Sequence, residues 1–152
     1  MNIVKHWSES NWQSSQKKHS HWKNKNTIHA YLSTVILSSL IGTYLDLLMV
    51  GTGLYSFPIR PFPEVFSIHI IFTLCILPIF SVFVIAVLKR LTRLQRYIFI
   101  FICSFIIFVV EQITELLGFF THSSAWKHEF SLVGYFIFMV MIWKFYKWMD
   151  SK

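Results

Sequence analysis

The sequence predicts an all-α integral membrane protein, a four-helix bundle threaded through a bilayer with both termini in the cytoplasm. Three observations carry this. Of 152 residues, 55% are hydrophobic and only 14% charged, against about 25% charged in soluble domains. The apolar residues fall in runs as long as a bilayer is thick, because about 20 residues of helix cross a hydrocarbon core of roughly 30 Å. Twelve of the fourteen Lys and Arg residues fall on one side of the implied threading, the side that the positive-inside rule assigns to the cytoplasm. A soluble bundle is excluded, since so short a chain has no polar helices to cover four nearly all-round apolar ones. The apolar content excludes disorder, and two cysteines exclude a disulfide framework.

Residues 1–27 form a polar, basic tail with Lys5, Lys17, Lys18, Lys23 and Lys25. They lack a small-residue cleavage site, so the first span is expected to act as an uncleaved anchor. Trp7, Trp12 and Trp22 among these lysines suit a tail resting on anionic lipid, and a tail that only fixes topology suits them equally. His19 and His21 have no further ligand nearby and are not read as a metal site. The bundle occupies residues 28–149. Its first span, 28–50, has Asp46 as its only acid; the second, 65–88, contains His69; the third, 97–120, contains Glu111 and Glu115. The fourth is uncharged over 130–143 and reaches 149 if Lys144 and Lys147 extend their ammonium groups to the headgroups. Trp143, Tyr146 and Trp148 suit that interface. Cys75 and Cys103 lie inside spans and read as packing residues.

Between the first two spans, GTGLYSFPIRPFPE turns at Gly51 and Gly53 and is stiffened by Pro58, Pro61 and Pro63. A loop this aromatic and rigid is expected to fold back over the helix mouths. The second outward connection, THSSAWKHE, is shorter, and the inner connection KRLTRLQR is a basic hairpin.

Acids inside a span are the most informative residues, because each costs about 2.5–3.5 kcal/mol at the helix centre on insertion scales. The threading places Asp46, His69, Glu111 and Glu115 all toward the outer face. In the third span Ser104, Phe108, Glu111, Glu115 and Gly118 recur at intervals of four and three, which makes one seam. In the first span Ser39, Gly42 and Asp46 form a stripe of small residues ending in the acid. With both seams turned inward, Asp46, His69, Glu111, Gln112 and Glu115 form a binding or proton-handling cluster, capped by Arg60, Glu64, His122 and His128. Glu64 also suits a helix N-terminal charge. Interhelical hydrogen bonding alone is the competing reading of the cluster. A weak echo between Leu45-Asp46-Leu47-Leu48 with Phe66-Ser67-Ile68 and Thr114-Glu115-Leu116-Leu117 with Phe130-Ser131-Leu132 suggests two parallel helical hairpins.

The stretch GTYLDLLMVGTGLYSFPIRPFPEVFS, the run EQITELLG and the ending WKFYKW resemble a family of small four-span membrane proteins of Bacillus-type spore formers. That resemblance covers most of the chain after residue 28 and implies a bacterial plasma-membrane protein without catalytic residues to carry over. More loosely, Asp46, then Tyr55-Ser56-Phe57, then Pro63-Glu64 is similar to the lycopene cyclase domain, which usually shows two adjacent acids after the proline where this chain has one.

A binding or accessory protein of the plasma membrane is therefore the expected function, with a proton-coupled small transporter or a membrane enzyme acting on an isoprenoid or lipid as alternatives. The absence of a nucleophile elbow, phosphate loop or HExxH motif makes an enzyme the weaker choice. No metal or cofactor is expected. The partners expected are membrane lipid and a second copy or another membrane protein, not nucleic acid, because topology accounts for the bases.

Overall fold

The computed structural model describes the backbone of residues 3–151 and the side chains of residues 26–151. The readings of Trp7, Trp12, Trp22, His19, His21 and the tail lysines lie outside the described side chains. The described residues hold four α-helices, α1 (Ile3–Gly51), α2 (Leu77–Leu88), α3 (Arg93–Leu116) and α4 (His128–Asp150), with two short strands, β1 (Tyr55–Ser56) and β2 (Thr121–His122). Three segments are long and apolar enough to cross a membrane: Asn26–Gly51, Arg93–Leu116 and His128–Asp150.

The α1 surface has the pattern expected of a helix dissolved in hydrocarbon. Ile28, Leu32, Ile36, Leu40, Tyr44 and Leu48 recur every fourth residue and are 43–63% exposed. Ala30, Thr34 and Ser38, on the opposite face, are completely buried. Lipid gives large apolar side chains no reason to hide, so small and hydroxyl residues take the helix contacts. Thr34 Oγ1 donates to the Ala30 carbonyl at 2.7 Å and Ser38 Oγ to Val35 at 2.8 Å, so burial strands neither hydroxyl. Across the α1–α2 contact, Ser39 Oγ donates to the Thr73 carbonyl at 2.8 Å and Ser81 Oγ meets Ser38 Oγ at 3.0 Å. A Cβ on Gly42 would strike the Leu77 side chain. The Ser39–Gly42 half of the small-residue stripe thus packs against the return helix.

The second hydrophobic stretch differs most from expectation. Its helix covers only Phe72–Leu88, not 65–88. Phe72–Ile76 is a π-helical turn in which the Leu77 amide reaches back to the Phe72 carbonyl. Pro78 follows at the start of α2; it has no N–H to give and its ring crowds the preceding turn, and a π-turn is a common accommodation. Upstream, the Arg60 guanidinium donates to the carbonyls of Phe57 (2.7 Å), Phe66 (2.7 Å) and Pro63 (3.4 Å), which holds this stretch as loop. Cys103 is buried as expected, whereas Cys75, on the outer side of the π-turn, is exposed.

At the end of the bundle that holds the α2–α3 connection, the bases sit on aromatic faces. Lys89 Nζ lies 5.3 Å from the Tyr31 ring centre and 5.5 Å from that of Tyr146, and Arg96 lies 4.9 Å from Trp143. Thr27 Oγ1 donates to Asp150 at 3.0 Å, joining α1 to α4. Val84, Leu88, Ile100, Cys103 and Met139 form the apolar core of this half.

At the opposite end α1 and α3 finish identically, 65 residues apart. The amides of Thr52, Gly53 and Leu54 bond to the carbonyls of Leu48, Val50 and Met49; those of Leu117, Gly118 and Phe119 bond to Ile113, Glu115 and Thr114. Gly53 (φ +70°) and Gly118 (φ +79°) are both left-handed, the conformation in which glycine escapes the Cβ penalty. The strands that follow pair antiparallel, Tyr55 with His122 and Ser56 with Thr121. At an offset of 65 Ser56 corresponds to Thr121, so a local two-fold axis passes between them. The repeat thus aligns Asp46 with Glu111, four residues before the Glu115 that the sequence echo matches to it. The symmetry is confined to these ends: α1 lies against α4, while the corresponding α2–α3 contact is sparse.

Gly118→Ala should therefore lower stability by about 1 kcal/mol, the cost of a Cβ in the left-handed region. Gly134→Ala, at a helical site with nothing within 4 Å of the added carbon, should be neutral or stabilising. Thermal melts of the detergent-solubilised protein compare the two.

Candidate functional site

The left-handed turns at Gly53 and Gly118 send both outward connections across the helix ends, where the ladder locks them together. Ser123 donates its amide to the Leu54 carbonyl at 2.9 Å, and the hydroxyls of Ser56 and Thr121 meet at 2.8 Å. The symmetry-related amide would belong to Pro58, which has none, so the ladder stops there. Tyr55 anchors an aromatic layer, with ring centres 5.5 Å from Phe57, 5.2 Å from Phe120 and 5.6 Å from Trp126.

Beneath this layer α3, β2 and α4 bring two carboxylates and two imidazoles together. Glu111, Glu115 and Gly118 lie along the α3 seam. His128, Ser131 and Tyr135 follow the same three-and-four spacing on α4 and face it. Glu111 is buried (8% exposed) and accepts from Ser131 Oγ at 2.6 Å, Tyr135 Oη at 2.9 Å and His128 Nδ1 at 3.2 Å. Glu115 Oε2 lies 2.9 Å from His128 Nε2, and its Oε1 lies 3.3 Å from His122 Nε2.

The His122 tautomer follows from its acceptor. His122 Nδ1 lies 2.9 Å from the Ser123 carbonyl, which only accepts, so this nitrogen carries the proton. His128 lies between two carboxylates, with Nδ1 3.2 Å from Glu111 and Nε2 2.9 Å from Glu115; the neutral ring donates to one of them and the imidazolium to both. His122 Nε2 turns its lone pair toward Glu115, a contact that is repulsive unless a proton or metal ion lies between. The two rings are 4.8 Å apart, centre to centre. Two imidazolium charges at that separation would repel by about 3 kcal/mol at an effective dielectric constant of 20. Glu115, His122 and His128 each offer a ligand atom, and these atoms lie within 4.8 Å of one another.

Asp46 lies at the neighbouring corner. Tyr55 Oη donates to its Oδ1 at 2.7 Å, while Asp46 Oδ2 and Thr43 Oγ1 are buried without a hydrogen-bond partner. Burial raises the Tyr55 phenol above its ordinary 10.0; Asp46 adds to this through charge and hydrogen bond, then Tyr135, then Glu111. Acids from α1 and α3 thus act on one phenol.

The remaining expected members stand apart. His69 accepts the Phe72 amide at 3.3 Å and lies against the Phe57 ring, without bonding to Asp46. Gln112 is one residue, about 100°, around α3 from Glu111; it is half-buried and has no hydrogen bond to the cluster. Arg60 is occupied by its own loop, and Glu64 is exposed. Neither caps the site, because the Pro-rich segment closes on itself. His122 and His128, expected at the rim, are direct partners of the acids. Sequence reasoning missed Tyr55, Ser131 and Tyr135, although the His128–Ser131–Tyr135 spacing opposite the α3 seam was a signal for two of them.

Ser131→Ala and Tyr135→Phe each remove a donor from buried Glu111 and should each cost about 1–3 kcal/mol. The double variant should depart from additivity, since both serve one carboxylate; thermal unfolding of the four proteins measures it. Because the raised Tyr55 pKa lets the unfolded chain ionise first, stability is level below about pH 10 and falls above it. Tyr55→Phe should show a shallower alkaline loss in melts across that range.

No family model, curated protein or solved structure matches this chain, so its function is argued from the site itself.

Proposed function

We propose that the chain is a four-span protein of a bacterial plasma membrane, with both termini cytoplasmic, whose outer-leaflet niche holds a cation in a binding or accessory role. The observation that carries this is the pair of imidazoles whose Nε2 atoms converge on Glu115 while each Nδ1 meets another acceptor. Two ionised carboxylates and two neutral imidazoles hold net negative charge until a proton or a cation enters the niche.

Three apolar helices support the membrane reading. Phe72–Leu88 extends about 25 Å at 1.5 Å per residue, and the Pro-rich loop supplies the remaining depth of a fourth span. The bases on the Tyr31, Tyr146 and Trp143 rings suit a headgroup interface, and the positive-inside rule supports a cytoplasmic one. The resemblance to small four-span proteins of spore formers supports the same compartment. Between transport and binding, the apolar packing of Val84, Leu88, Ile100, Cys103 and Met139 in the inner half favours binding.

The threading is tested by single cysteines placed in a chain lacking Cys75 and Cys103. An impermeant maleimide should label Ser124→Cys on intact cells and Thr92→Cys only after permeabilisation. The reverse pattern overturns the orientation. Cation dependence of thermal stability that disappears in Glu115→Gln supports the niche.

A further inference from the structure

The niche has the features of a specific metal centre, and this inference rests on the cation-binding reading above. We infer that Glu115, His122 and His128 together bind one divalent transition ion of the zinc class, through one carboxylate and two imidazole Nε2 atoms. Three features of the geometry carry it.

First, the two carboxylate oxygens and two Nε2 atoms stand close enough that small side-chain rotations bring one oxygen and both nitrogens to coordination spacing. Bonds of about 2.05 Å in a tetrahedron put neighbouring ligand atoms about 3.3 Å apart. Glu115 Oε1 to His122 Nε2 is 3.3 Å, Glu115 Oε2 to His128 Nε2 is 2.9 Å, and the set closes within 4.8 Å.

Second, each imidazole has the outer partner that a metal-bound histidine needs. The Ser123 carbonyl holds Nδ1 of His122 and the Glu111 carboxylate holds Nδ1 of His128. Such partners fix the tautomer and aim the free nitrogen at the ion. Glu111 is itself fixed by Ser131 and Tyr135, so two shells are in place.

Third, the donor set selects the ion. Calcium and magnesium require oxygen ligands, whereas two imidazoles and a carboxylate suit zinc, cobalt, nickel or copper. Three protein ligands leave a fourth position open. An ion here would join the end of α3, strand β2 and the start of α4, and so fasten the aromatic layer over the bundle.

The test uses the full chain in detergent or nanodiscs with Co(II) as a visible-absorption probe and Zn(II) as competitor. The expected result is one equivalent of Co(II) with the d–d bands of a four- or five-coordinate N/O site, displaced by Zn(II). His122→Ala and Glu115→Gln should abolish the spectrum, and Glu111→Gln should weaken binding by about 10–100-fold. Gly134→Ala, away from the niche with open space around the added carbon, should bind as the unmodified chain does. Circular dichroism is read in parallel, and displacement of Co(II) by Zn(II) from the unmodified chain reports the site without any substitution. A helical protein that gives no Co(II) spectrum, or one that His122→Ala leaves intact, overturns the metal inference. Stabilisation by sodium or tetraphenylphosphonium without a Co(II) spectrum overturns it while upholding the wider reading. Indifference to every cation overturns both.

Discussion

A carboxylate carried into a bilayer must bring its partners with it, because hydrocarbon supplies none and each unmet polar group costs several kcal/mol. Glu111 satisfies this constraint with three donors from one face of α4. Much of the outer half follows from that requirement. α4 must start near His128 so that its first two turns lie opposite the acid. α3 must end at Gly118 so that the next residues can cross to the ladder. The aromatic layer then separates the polar groups from lipid. On the other side, α1 presents small residues inward because its large apolar ones are comfortable outside.

The two ends of the bundle divide the charge between them. Lys and Arg gather on aromatic faces at one end, where ammonium and guanidinium groups can reach headgroups. The niche acids and histidines gather at the other, while Asp150 stays at the basic end with Thr27. Ser131, Tyr135, Tyr55 and His128, rather than lysine or arginine, contact the niche carboxylates. A lysine in the niche would occupy the position that the histidines leave for an ion.

The helical class and the apolar segments were legible in the sequence because they depend on composition and on the 3.6-residue period. The α3 seam of Glu111 and Glu115 was legible for the same reason, as was the inward stripe of Ser39 and Gly42. Three things were not. The truncation of the second helix depends on Arg60 finding three carbonyls of its own loop, and a charge in a loop does not announce its acceptor. The exclusion of Gln112 turns on 100° of helix rotation, finer than a segment-level reading resolves. The direct roles of His122 and His128 needed the ladder between two-residue strands, too short to leave a pattern. The echo in the sequence matched Asp46 to Glu115, whereas the glycine turns pair Asp46 with Glu111, four residues earlier, because the loops after the two turns differ in length.

Pro58, which has no amide proton, ends that ladder on one side of its axis. Two identical hairpins joined this way would be bound to present the same acid with the same donors on each side of the axis. Within one chain, each half can be altered alone, and a ring nitrogen at Pro58 removes the reciprocal bond to Phe119. One side keeps Asp46 with a single phenol, and the other has room for a histidine pair. The same frame thus carries two chemically unlike corners, one acid on a phenol and two acids among histidines, with Pro58 marking where the halves cease to match.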